Sequence, residues 1–170
     1  IDWTYSPLIA LHFVTENIAN YDKDGAVWKV NYADVHKHLQ GEQSASLDDL
    51  GTKIFTTEAL ANTIPDLDAL DRRNAPGYVS AIFFEPPSID DRIINQFAYF
   101  SVLSKPDLTM DDWLKNYAND VYAVKVIIPK ELKWEIRDKL DQSNINERVL
   151  MTGLDGLCSW LKRHYTPRTS

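Results

Sequence analysis

The chain has 170 residues, 44% hydrophobic and 11% aromatic, which is enough to bury an ordered core and excludes intrinsic disorder. Its net charge of −7 does not favour non-specific binding to nucleic acid or to an anionic membrane, because both need cationic surface to displace counterions. A single cysteine, Cys158, excludes an internal disulfide and a cysteine metal cluster.

The first stretch, IDWTYSPLIALHFVTENIAN, starts abruptly on polar and aromatic residues pressed against an apolar helical run. It reads as the rim of a pocket whose other wall lies upstream of Ile1, in a domain cut short at its N-terminus. Ser6-Pro7 has the form of an N-cap and first helical position, since proline lacks only an N–H that would be unpaired there anyway. Leu8, Leu11 and Ile18 continue an apolar face. After the turn YDKDG, the run AVWKVNY is β-rich, and HKHLQGEQSASLDDLG reads as a surface connection. Two short helical pieces follow, TTEALAN with a threonine cap and PDLDALDRR.

YVSAIFFEPP is a strand stopped by two prolines that cannot extend a ladder. SIDDRI carries Ser88 and Asp91 at capping-box spacing, and the helix it opens gives way by Gln96 to the strand QFAYFSVL. TMDDWLKNY repeats the box with Thr109 and Asp112. VYAVKVIIP is the clearest strand, and KELKWEIRDKLDQSN is an amphipathic helix with Leu132, Ile136 and Leu140 four apart. TGLDGLCSWLKRHY is a last helix with apolar Leu157, Trp160 and Leu161. The expected fold is α+β, one mixed domain over 1–170 with a central sheet of about four to five strands flanked by helices. The longest apolar run, Leu8 to Val14, is too short to span a bilayer, and a cytoplasmic protein is expected.

The sequence holds no G-x-G-x-x-G, P-loop, G-x-S-x-G or H-E-x-x-H motif. His36 and His38 read as solvated loop residues rather than metal ligands, Cys158 as a packing residue, and His164 as a complement to a helix C-terminus. The only basic patch is the tail around Lys162, Arg163, His164 and Arg168.

Two segments hold the chemistry. In the first, Asp2, Thr4 and Ser6 alternate with Trp3, Tyr5 and Pro7, so an extended backbone would put a carboxylate and two hydroxyls on one face. The same residues serve equally as a helix-capping turn, and a capped helix start is also an anion site. In the second, EPPSIDDRIINQFAYFS, Arg92 and Gln96 are four apart and share a face in a helix or a strand. Arg92 offers a planar fork for phosphate or carboxylate, and Gln96 an amide that donates and accepts. The alternative is a salt bridge from Arg92 to Asp2, Asp90 or Glu85, with Gln96 satisfying buried backbone. Glu85, at a strand end, is a third pocket candidate.

On DWTYSPLIALHF, FFEPPSIDDRIINQFAYFS, VIIP followed by a helix, and LDGLCSWLKRHY, the chain resembles the FRG domain family, a largely bacterial family named for an (F/Y)-R-G motif near its N-terminus. These blocks span residues 2–165 in family order; the (F/Y)-R-G block itself is not in this sequence. The family name describes a motif, not an activity. The motif order is similar to that of ADP-ribosyltransferase-like folds, where an early arginine, a middle hydroxyl or aromatic residue and a late Glu or Gln handle NAD. The resemblance then implies that Thr4 and Ser6, with Trp3 and Tyr5, fill the middle slot and Gln96 the last.

Three functions remain open at this point. The favoured one is a binding or interaction module for a small ligand or nucleotide, with no obligate cofactor. The second is an NAD-dependent transferase or NAD hydrolase, with Arg92, Gln96 and Thr4 in catalytic roles and Asp2, Trp3, Tyr5, Ser6 and Glu85 holding the ligand. The third is a nuclease using Mg²⁺ gathered by Asp2, Glu85, Asp90 and Asp91.

Overall fold

The structure, a computed structural model, describes residues 1–39, 53–72, 74, 77–116 and 123–167. In chain order the first elements are β1 (Asp2–Thr4), α1 (Pro7–Thr15), β2 (Gly25–Val30), α2 (Tyr32–His36), β3 (Phe55–Thr56), α3 (Thr57–Thr63) and α4 (Leu67–Arg72). They are followed by β4 (Ala81–Glu85), α5 (Asp91–Asn95), β5 (Ala98–Leu103), α6 (Met110–Asn116), β6 (Ala123–Ile128), α7 (Lys133–Gln142), α8 (Glu147–Leu150) and α9 (Leu154–Tyr165). The class is α+β, as the sequence led us to expect. The main sheet has four strands in the order β1-β5-β4-β3, and β2 pairs with β6 in a separate two-stranded sheet. The expected connection after His36 lies outside the described residues from position 40 onward. No described helix is long and apolar enough to cross a membrane.

The chain gathers into two compact units. One comprises Ile1–Trp3, Trp28–Pro87 and Tyr99–Val124; the other comprises Thr4–Val27, Ser88–Ala98 and Lys125–Ser170.

In the first unit β4 organises the core. It runs antiparallel to β5, with Ala81 opposite Leu103 and Phe84 opposite Phe100, and parallel to β3, with Phe55 opposite Phe84. Side chains alternate across a strand. Ala81 and Phe83 therefore enter one apolar cluster with Val35, Val79, Met110, Trp113 and Leu114, while Ile82 enters another with Leu39, Phe55, Ile64 and Leu70. A strand buried on both faces reads as the unbroken apolar run AIFF.

His36 corrects the solvated reading, because it is buried between these layers. The Phe83 backbone N–H donates to its Nε2 at 2.9 Å, so that nitrogen is the acceptor, and Nδ1–H donates to the Lys53 carbonyl at 2.8 Å. The ring pins β4 to the chain before β3.

In the second unit α1 starts as its sequence dictates, with Ser6 as N-cap and Pro7 at the first position. Helix α5 is capped by Asp90, whose carboxylate accepts from the Arg92 N–H at 2.7 Å, rather than by the expected Ser88–Asp91 box. An aspartate immediately before the helix reaches the orphan N–H first. In α6, which belongs to the first unit, the Thr109–Asp112 box forms as expected: the threonine hydroxyl donates to the carboxylate at 2.7 Å and accepts the Asp112 N–H at 3.1 Å.

Helix α9 buries a different face from the one its leucines predict, and α7 buries two cations beside the expected Leu140. Helix α7 buries Lys133, Arg137 and Leu140, whereas Leu132 is exposed. Helix α9 buries Gly156 and leaves Leu154, Leu157, Cys158 and Leu161 outside, which corrects the packing role expected of the cysteine. Lys133 donates to the Asn20 carbonyl at 2.8 Å, and Arg137 and Arg163 belong to a charged cluster described next.

A candidate binding pocket between two helices

The residues singled out in the sequence fall in both units. In the first, Trp3 belongs to the core: its indole N–H donates to Ser101 Oγ at 2.7 Å and its ring meets Phe83 at 5.4 Å. Asp2 is exposed, and Glu85 is exposed at the end of β4.

In the second unit Thr4 Oγ1 accepts the Ser6 N–H at 3.1 Å, and Ser6 Oγ accepts the Ile9 N–H, so both hydroxyls serve the start of α1. Tyr5 meets the second sequence segment. Its N–H donates to the Phe97 carbonyl at 3.3 Å and the two rings pack at 4.9 Å. Phe97 has a φ of 49°, a left-handed backbone unusual for an aromatic residue, and this turn presents its carbonyl and ring to Tyr5. Gln96 donates from Nε2 to the Leu150 carbonyl at 3.1 Å, and Asn95 donates to the Val149 carbonyl at the same distance. The pair straps α5 to the end of α8. Arg92 is exposed and has no ion pair among the described residues.

A concave site lies elsewhere in this unit. Helical periodicity puts Trp134, Arg137, Asp138 and Asp141 on one face of α7, and Trp160, Arg163 and His164 on one face of α9. These two stripes, with Asn144, Asn146 and Arg148 from the intervening chain, line a cavity of about 390 Å³. Asn144 ends α7 at a φ of 60°, and the Ile145 N–H turns back to the Leu140 carbonyl at 2.8 Å. Asparagine tolerates that left-handed position better than a branched residue does. The turn delivers Asn146, which caps α8 by accepting the Val149 N–H.

Behind the cavity sits the charged cluster. Arg163 holds two carboxylates at once. Its Nε and Nη2 donate to Glu147 at 2.6 and 2.9 Å, while Nη1 and Nη2 donate to Asp141 at 2.8 and 2.7 Å. Arg137, 1% exposed, donates from Nη1 to His12 Nδ1 at 2.8 Å and from Nη2 to the Ile145 carbonyl. Guanidinium only donates, so His12 Nδ1 accepts and the ring hydrogen sits on Nε2, 3.6 Å from Glu16. Arg137 Nε is buried with no hydrogen-bond partner.

Burial would raise Glu147, but hydrogen bonds from Arg163 hold it below the usual carboxylate range. Burial works against Arg163 too, and its two carboxylates outweigh it and hold the charge. Arg137 is pushed down by burial and by the like charge of Arg163. These charges explain why Arg137 and Arg163 turn inward. Polar groups this deep must find partners, and the partners lie on α7, α8 and α9. Alignment of the helices therefore follows the ion pairs together with the buried Leu140 and Leu150.

At the mouth, the Arg148 guanidinium lies over the Trp160 ring at 5.0 Å, and His164 stacks on the same indole with centroids 5.0 Å apart and planes 17° apart. Arg148 has no carboxylate partner among the described residues, and Arg163, taken from the expected basic tail, is neutralised by Asp141 and Glu147; Arg168 lies outside the described residues. The described residues contain no group of three or more His, Cys, Asp or Glu arranged to hold a metal. The lining offers aromatic rings, guanidinium donors, amides and the carboxylates of Asp138 and Asp141.

Sequence reasoning missed this site because it followed the leucines of α7. The available signal was the spacing of Trp134, Arg137, Asp138 and Asp141 on one helical face, matched by Trp160, Arg163 and His164 on another. No family model, curated protein or solved structure matches the chain.

Proposed function

We propose that this protein is a binding module for a small planar ligand bearing an anionic group, of the nucleotide class, held between α7 and α9. The observation that carries the reading is a cavity of about 390 Å³ walled by Trp134 and Trp160, with the Arg148 guanidinium beside it. The volume falls within the range of roughly 300–1,000 Å³ common to ligand pockets. The Trp134 and Trp160 rings supply aromatic wall, and Arg148, with no carboxylate partner among the described residues, supplies positive charge at the mouth.

Binding suits the lining better than catalysis does. Asp141 is neutralised by Arg163, and the lining provides no activated nucleophile. The likeness to the FRG family, and an NAD-directed activity, remain readings of the sequence motifs; among those residues, Gln96 and Thr4 are engaged in local structure.

Titration calorimetry with AMP, ADP-ribose and NAD tests the proposal. Saturable heat is expected for at least one of them, weakened about tenfold or more in Trp160→Ala and in Arg148→Ala, each change being worth roughly 1–2 kcal/mol. No heat with any of the three at millimolar concentration would overturn the reading. Turnover of NAD in the same cell would instead favour the enzyme.

A further inference from the structure

The outward face of α9 is independent of that pocket. The helix docks through Gly156, its one buried residue: a Cβ there would stand 1.7 Å from the Met151 carbonyl oxygen and 2.6 Å from that of Glu147. Arg163, pointing the same way, is locked to Asp141 and Glu147. At 3.6 residues per turn, the opposite side of the helix carries Leu154, Leu157, Cys158, Leu161 and Tyr165. Leu154 and Tyr165 are each 77% exposed, and Leu157 and Leu161 are 36% and 37% exposed. An apolar stripe at intervals of three and four residues is the pattern of a helix that packs against another helix.

The charges beside the stripe name the partner. Asp155 and Lys162 lie seven residues apart on the same flank, and neither has an ion pair among the described residues. Reversed end for end, the helix matches itself: Leu157 faces the second copy's Leu161, Leu154 faces its Tyr165, and Asp155 faces its Lys162. A parallel pairing would carry this flank to opposite sides of the two copies and leave Asp155 and Lys162 without each other. We infer that this face takes a second copy of the same chain, antiparallel, about a two-fold axis at the level of Ser159. Such a contact is isologous and closes at the dimer.

The 12 residues of α9 span about 18 Å, so the contact is smaller than the roughly 1,200 Å² of a standard stable interface. The dimer is therefore weak, with a dissociation constant on the order of 100 μM. The paired charges set orientation more than affinity.

Sedimentation equilibrium across micromolar to millimolar protein, with a short bis-maleimide to trap Cys158 against its copy, tests this directly. A concentration-dependent dimer is expected, cross-linked through Cys158. Leu161→Asp should raise the dissociation constant about tenfold or more, since each copy loses an apolar contact across the axis. Asp155→Lys should weaken the dimer, and Asp155→Lys with Lys162→Asp should restore it. Both positions are exposed, so circular dichroism should show an unchanged fold. A monomer at every concentration would overturn the inference. So would a dimer indifferent to Leu161→Asp, or a double exchange that fails to recover what the single exchange lost.

Discussion

Arg163 grips Asp141 side-on, Nη1 to Oδ2 at 2.8 Å and Nη2 to Oδ1 at 2.7 Å, across a gap of twenty-two positions in sequence. The same guanidinium reaches Glu147, so one side chain joins α7, α8 and α9. Removing it strands two carboxylates, one of them buried. Arg163→Met is expected to destabilise the protein by about 3–5 kcal/mol in urea denaturation. Arg163→Lys should recover only part, because an ammonium cannot form four directed bonds in one plane. A loss below about 1 kcal/mol in Arg163→Met would show that the cluster is solvated.

Stability should form a plateau in pH with a distinct cause at each edge. Burial holds His36 below its ordinary 6.5, against the opposing bond to the Lys53 carbonyl. Glu147, against its burial, is held below 4.5 by Arg163. Each binds a proton more tightly when unfolded. Their contributions are thus present above the unfolded values and lost on acidification, that of His36 first and that of Glu147 below it. At the other edge burial pushes Tyr21 up to about 12, with the cations Arg137 and Arg163 opposing. Its contribution is complete below its ordinary 10 and lost as pH rises toward 12. Urea midpoints should therefore be flat from about pH 7.5 to 9 and fall on both sides. Tyr21→Phe should flatten the alkaline limb, and His36→Gln the first part of the acid one.

Two glycines should respond differently to an added methyl. At Gly156 the clash is with backbone oxygen at 1.7 Å, which cannot yield without moving α9. Gly156→Ala is expected to cost about 3 kcal/mol or more, with a change in Trp160 fluorescence as the helix shifts. At Gly25 the clash is with Val14 Cγ2 at 2.3 Å, a side chain that can rotate, while Lys133 Cε at 3.4 Å is near ordinary contact. Gly25→Ala should cost about 1–3 kcal/mol. Equal losses at the two positions would mean that α9 is not docked through Gly156.

Arg92 and Gln96 share a sequence motif but not a structural role. Arg92→Ala, at an exposed position, should leave stability within about 0.5 kcal/mol. Gln96→Ala removes the strap to the Leu150 carbonyl and should cost about 1 kcal/mol. Thermal denaturation of both variants separates the cases. A larger loss in Arg92→Ala would place its guanidinium in a buried pair.

Local rules were legible in the amino-acid order. Ser6, Thr109 and the AIFF run of β4 each folded as their chemistry requires, because a cap or a strand is decided within a few residues. The α+β class followed from the same signals. Asp90 displaced Ser88 as a cap by a difference of two positions, which is the ordinary scale of uncertainty at a helix end.

Which face of a helix turns inward was not decided locally. In α9 the leucine pattern pointed one way and the tertiary structure turned the other, while in α7 Leu140 went inward together with Arg137. Arg137, Asp141, Glu147 and Arg163 come from separated stretches, and the value of each depends on the others being present. A lone buried charge is prohibitive, whereas a matched set can be held inside with its polar groups satisfied. Periodicity within one helix cannot register that condition. Residue order alone set the elements, their caps and the two-faced burial of β4; where the charges meet, which hollow they line and which leucines remain outside depended on contacts between distant stretches of chain.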